Sequence, residues 1–191
     1  MKRGFKAEAE RISLEIRAEL TLELDERLDA LELAQHLAIP VYTLRQAARV
    51  SPGSLFFAYF STVDPDVFSA ATIFEDRYKR LIVHNEHHHP NRQASNLSHE
   101  ISHSLLEHEP AALINADGQR YWSAEVEGEA NWLGAALLVP RDGALQMVKA
   151  GLTIEEIAIK YGVSEALCRW RINDSGIAQQ VRRWKRRKVS A

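Results

Sequence analysis

Two histidines and a glutamate stand together in His99-Glu100-Ile101-Ser102-His103, a His-Glu-x-x-His pattern. On an α-helix, residues four apart differ by about 40° in direction, so both imidazoles leave one face and can reach one ion. Glu100 sits one step round from His99, which frees its carboxylate to act on water beside a metal rather than bind the metal. The chemistry this suits is metal-assisted hydrolysis. Zinc brings the pKa of water towards about 7 and polarises a carbonyl, while Glu100 takes the proton and passes it to the leaving amine. The plain alternative is a helix with two surface histidines, and the sequence downstream argues against it.

Two imidazoles leave a zinc site incomplete, so a third protein ligand is expected from elsewhere, with the fourth position kept for water. The best source is the acidic stretch Glu125-Val126-Glu127-Gly128-Glu129-Ala130-Asn131. Glu127 and Asn131, four apart, share a helical face, so Glu127 can bind the ion while Asn131 supports a ligand from behind. Glu129 points roughly 160° away from Glu127, and only one of the two can face the ion. A helix N-terminus that favours negative charge explains the sign of the cluster but not its coincidence with an unfinished metal site. Zn2+ is the expected cofactor, with Mn2+ as the alternative. An oxyanion donor is also needed, and Tyr121 or one of His87, His88 and His89 could supply it. The loop His84-Asn85-Glu86-His87-His88-His89-Pro90 has no ligand spacing, so its simpler reading is polar loop.

The elements that must position these groups follow from periodicity. Leu97, Ile101 and Leu105 recur at i, i+4 and i+8, an apolar stripe that anchors the histidine helix; Asn91-Arg92-Gln93-Ala94 leads into it and Glu109-Pro110 is expected to end it. Trp132, Leu133, Ala136 and Leu137 form a second core helix that begins in the acidic cluster and ends at Pro140. Residues 69–74 and 80–84 read as a hairpin around Glu75-Asp76-Arg77-Tyr78, and a strand beside the ion-binding helix could take up an extended peptide by strand addition. Before it, Phe5, Ala9, Ile12, Ile16 and Leu20 predict an amphipathic helix, Asp29 with Glu32 a capped short helix up to Ile39-Pro40, Val41-Tyr42 a strand start, and residues 43–50 a further short helix. Asp64-Pro65-Asp66, Ser51-Pro52-Gly53 and Asn115-Ala116-Asp117-Gly118 read as turns.

With both segments in view, the chain resembles the ImmA/IrrE family of zinc metallopeptidases. The stretch from Asn96 to Leu106 is similar to that family's metal-binding helix. Glu127-Gly128-Glu129-Ala130-Asn131-Trp132-Leu133-Gly134-Ala135-Ala136-Leu137-Leu138-Val139-Pro140 is similar to its Glu-x-x-Ala-Asn-x-Phe-Ala-Ala-x-Leu-Leu-Met-Pro stretch, and the region from Gly4 to Val41 also matches. The resemblance implies zinc on His99, His103 and Glu127, catalysis by Glu100, and a protein substrate, a helix-turn-helix repressor of the XRE type. Ser102 departs from a Gly common in the family, and Leu133-Gly134 from Phe-Ala; neither removes a ligand. The fold expected is α+β: a zincin-like domain over 1–140, with a small antiparallel sheet, an active-site helix and an N-terminal helical part over 1–45. A small helical region with a basic tail follows over 141–191.

In that last region two helices meet at Tyr161-Gly162-Val163 with Ser164 as N-cap, the spacing of a helix-turn-helix. Six cations at the end (Arg182, Arg183, Lys185, Arg186, Arg187 and Lys188) could hold DNA phosphates, although the second helix is not itself strongly basic, which favours a packing module that docks a protein substrate. A DNA-binding regulator with a structural or vestigial metal site, or a toxin–antitoxin component acting by binding alone, are the rival functions. The 191 residues carry a net charge of −2, one cysteine, and no run that approaches a membrane span, so the expected compartment is the cytoplasm.

Overall fold

The computed structural model describes residues 1–51, 53–54, 67–74, 80–108 and 123–189. The turns expected at Glu75-Asp76-Arg77-Tyr78, Asp64-Pro65-Asp66 and Asn115-Ala116-Asp117-Gly118, together with Pro52, Glu109-Pro110 and Tyr121, lie outside them. In chain order the elements are α1 (Phe5–Glu19), α2 (Ala30–His36), β1 (Val41–Thr43), α3 (Leu44–Val50), β2 (Ala70–Phe74) and β3 (Arg80–His84). Six helices follow: α4 (Pro90–Leu105), α5 (Ala124–Leu138), α6 (Arg141–Ala150), α7 (Ile154–Tyr161), α8 (Glu165–Asp174) and α9 (Ile177–Val189). No described helix is long and apolar enough to cross a membrane.

The fold is α+β. β2 and β3 form the antiparallel pair read from the sequence, Ala70 opposite His84 and Phe74 opposite Arg80. The sheet is not purely antiparallel, however: β1 lies parallel to β3 on its other side, giving the order β1-β3-β2. A three-residue strand pairing across forty positions leaves no local signal, and the hairpin reading could not contain it. β2 is therefore an outer strand of the described sheet, and it faces α4.

α5 packs chiefly against α4, α1 and α8. Its residues from Glu129 to Leu138 are all buried apart from Asn131, as suits a helix walled in on every side. α4 and α1 lie against it, and apolar residues from Phe5 in α1 to Val181 in α9 join one core cluster. Burying the C-terminal end of α5 requires partners for carbonyls that the helix itself leaves unpaired. They come from far away in sequence. The Ser13 hydroxyl donates to the Ala136 carbonyl (2.6 Å), Arg17 Nη2 to the Leu137 carbonyl (3.1 Å), and Arg171 Nε to the Val139 carbonyl (3.1 Å). Two guanidiniums at this end also complement the negative pole of the helix.

Two helices were not legible as such. α6 follows Pro140 with no side-chain cap and carries Gly143 in its first turn. That glycine is required: a Cβ there would stand 2.1 Å from the Leu24 carbonyl oxygen and 2.4 Å from the Tyr161 hydroxyl, which itself donates to Leu24 at 2.8 Å. Gly143→Ala is expected to destabilise the protein by about 1–3 kcal/mol. In a thermal melt that is a drop of about 2–12 °C. The basic tail, in turn, is α9, seated through Ile177 and Val181.

Candidate metal centre

α4 begins earlier than the sequence suggests, at Pro90 in its first turn, with His89 as N-cap accepting from Asn91 N–H (3.2 Å). It also ends earlier, at Leu105 rather than beyond His108. The stop is a left-handed residue, Glu107 (φ 51°), with two backbone bonds, His108 N–H to His103 O (3.0 Å) and Glu107 N–H to Ser104 O (3.2 Å). That is a Schellman turn built without glycine, and it folds His108 back beneath the last turn of the helix. Ala94, Leu97, Ser98, Ile101 and Ser102 form the buried face of α4. The other face presents His99, Glu100 and His103, half-buried.

α5 brings the third group. Ser123 caps it, Glu125 and Glu127 fall in its first turn, and α5 approaches α4 closely where Gly134 meets the peptide between Ser98 and His99. A Cβ at 134 would lie 3.1 Å from both Ser98 O and His99 N, so a small residue sets the spacing of the two ligand-bearing helices. One ligand atom each from His99, His103 and Glu127 lies within 4.8 Å of the others. Nε2 of His99 stands 3.1 Å from Nε2 of His103 and 3.2 Å from Oε2 of Glu127, and His103 Nε2 is 3.7 Å from Glu127 Oε1.

This donor set fits a divalent cation. Two imidazole nitrogens aimed at each other repel unless something positive lies between them. Ligand bonds of about 2.0–2.2 Å in a tetrahedron separate donors by roughly 3.3 Å, close to the spacings here. Burial, reinforced by His99 and His108, pushes His103 down to about 4, so its ring is neutral and able to donate a lone pair at ordinary pH. Side-chain exposures of 17–23% leave all three groups in part within reach of solvent.

Glu100 points beside the cluster. Its Oε2 accepts from the Thr72 hydroxyl on β2 at 2.7 Å, which ties the carboxylate to the outer strand of the sheet. Burial raises its pKa above the usual carboxylate range, and the Thr72 hydrogen bond and the nearby His99 only partly offset this. A carboxylate so placed is a better proton acceptor than a solvated one.

Among the described residues, the others singled out in the sequence contribute no atom to the three-donor cluster. Asn131, one turn beyond Glu127, is exposed. His87, His88 and His89 sit at the N-terminal end of α4, roughly 15 Å up the helix from His99. There His87 and His89 are exposed, and His88 is buried with Nε2 3.3 Å from Asn85 Nδ2. Tyr121 lies outside the described residues. Thr72 and His108 are the groups that sequence reading missed, His108 standing with Nδ1 2.9 Å from His103 Nδ1. Alternation of the strand could have placed Thr72 on a face, but nothing local announces its partner.

No curated protein matches the chain. A family model described as the IrrE N-terminal-like domain, Peptidase_M78, matches residues 62–173, which holds both ligand-bearing helices but begins after the region from Gly4 to Val41. With more than half of its length so matched, and with His99, His103 and Glu127 converging as a metal centre would need, the chain belongs to this family of metallopeptidases.

Proposed function

We propose that the protein is a zinc-dependent endopeptidase whose substrate is a helix-turn-helix repressor of the XRE type. The observation that carries this reading is the position of Glu100, between a three-donor cluster on α4 and α5 and an outer strand that can hold an extended peptide. His99, His103 and Glu127 would hold the ion, which when bound supplies Lewis acidity for the scissile carbonyl and for the attacking water. Glu100 accepts the water proton at its carboxylate and delivers it to the leaving amine. Backbone groups of β2 align the peptide so that the scissile bond lies over Glu100. Thr72 holds that carboxylate in place and favours its ionised form.

The test is to mix the purified protein with a helix-turn-helix repressor encoded beside it, with and without chelator. Fragments that form only when metal is present support the proposal; an intact repressor under both conditions, with metal binding verified, overturns it. Thr72→Val is expected to lower kcat/KM about tenfold, the cost of one hydrogen bond to a charged group. Because that bond favours the ionised carboxylate, its loss raises the Glu100 pKa further and moves the acid limb of the pH–rate profile upward. An unmoved limb would separate Thr72 from the base.

DNA binding has weaker support from α8. Of its two arginines, Arg171 is fully buried and Arg169 lies 3.6 Å from Glu165 one turn away, so neither offers an unengaged cation to a groove.

A further inference from the structure

The Schellman turn at Glu107 delivers His108 to the back of His103, on the side away from the ligand cluster. The two rings face each other with centroids 5.0 Å apart, at 66°, through their Nδ1 atoms at 2.9 Å. Beyond His108 stands Glu129, whose Oε2 is 3.7 Å from His108 Nε2 and whose Oε1 accepts from the backbone N–H of Lys2 at 3.0 Å. Its side chain is 7% exposed and that of His108 10%. Burying a carboxylate is costly without partners, and an imidazole and a backbone N–H are those partners here.

We propose that His108, backed by Glu129, is a positioning residue that fixes the orientation and tautomer of the ligand His103. The proposal rests on the metal-centre reading above. An imidazole that gives Nε2 to a cation keeps its proton on Nδ1. His103 Nδ1–H then donates to His108 Nδ1, which must be bare, so the proton of His108 sits on Nε2 and faces the Glu129 carboxylate. One arrangement of protons gives every ring nitrogen of the row a complementary neighbour, and it is the one in which His103 offers its lone pair to the cluster. Glu127 and Glu129, two positions apart on α5, thus divide the work: the first faces the ion and the second stands behind its ligand.

Zn2+ affinity of the full chain, measured by competition with a chelating dye, tests this. Asn at 108 places an oxygen where Nδ1 stood and can accept from His103; Leu cannot. His108→Leu is expected to weaken Zn2+ binding about 10- to 100-fold, His108→Asn to remain within about threefold of the parent, and Glu129→Gln to fall between them. In the zinc-loaded protein the His103 Nδ1–H proton resonance should persist in His108→Asn and vanish in His108→Leu. Unchanged affinity in His108→Leu would overturn the proposal. So would an Asn variant as weak as the Leu variant, which would reduce His108 to packing. If His108→Leu fails to fold, unaltered affinity in Glu129→Gln overturns it instead. A folded parent protein that binds no Zn2+ would sink the metal centre itself, a result visible without any variant at 108.

Discussion

Glu100→Gln should leave a folded, metal-binding protein that no longer cuts. The amide keeps the volume and can still meet the Thr72 hydroxyl, but it cannot accept a proton, so the loss falls on the chemical step. General-base catalysis contributes about a hundred- to ten-thousand-fold, and the cleavage rate should fall by that much with Zn2+ stoichiometry unchanged. Stability should move the other way. Burial raises the Glu100 pKa in the folded state, so the folded chain holds that proton more tightly than the unfolded chain. The carboxyl therefore contributes stability below its unfolded pKa, and that contribution is lost as pH rises through the folded pKa. At neutral pH the metal-free Gln variant should melt no lower than the parent. Retained cleavage in a variant of demonstrated purity would remove Glu100 from the mechanism.

The largest effect on stability is expected from Glu10. Its Oε1 receives Nη2 of Arg171, a guanidinium with no exposed surface that also lies over the Trp132 ring at 5.2 Å, and its Oε2 accepts from the Arg141 N–H at 3.2 Å. Burial, with a smaller push from the Arg141 charge, pulls the Arg171 pKa down, and Glu10 is the group that resists this. Glu10→Ala leaves a buried cation without its counter-ion, which costs about 3–5 kcal/mol in a dry interior. Because the Glu10 side chain is 20% exposed, the lower end, about 3 kcal/mol, is expected. That corresponds to a fall in melting temperature of about 6–12 °C. Replacing the pair together, with Arg171→Met and Glu10→Leu, should recover part of the loss, since no orphan charge is left. Val139 lies twelve positions beyond Glu127, roughly 18 Å along α5, so kcat well below the melt should be unaltered. A Glu10→Ala melt within 2 °C of the parent would show that water reaches Arg171.

Local signals and local structure agreed where they concerned neighbours in the chain. The apolar repeat of α1, Asp29 capping α2 and Ser164 capping α8 all involve contacts within a turn or two, so residue type announces them. His99, Glu100 and His103 belong to this class as well, because a single helix sets their spacing. What stayed hidden depends on distant partners. Arg17 and Arg171 are both buried against carbonyls of α5 to which no sequence pattern links them. The role of His108 hangs on a left-handed Glu107, where a glycine would have signalled the turn. α6 lacks a capping side chain, and the density of charge in α9 masked the two apolar residues that seat it.

The way α5 is sealed at its far end bears on what the family-matched segment is by itself. Glu10, Ser13 and Arg17 all precede residues 62–173, yet they answer the acceptors and the guanidinium that this stretch cannot answer from within. Excised, the segment would carry naked carbonyls and a homeless cation into its own interior. α1 is thus a keystone: the half of the molecule that carries the metal centre borrows its closure from residues outside the matched stretch.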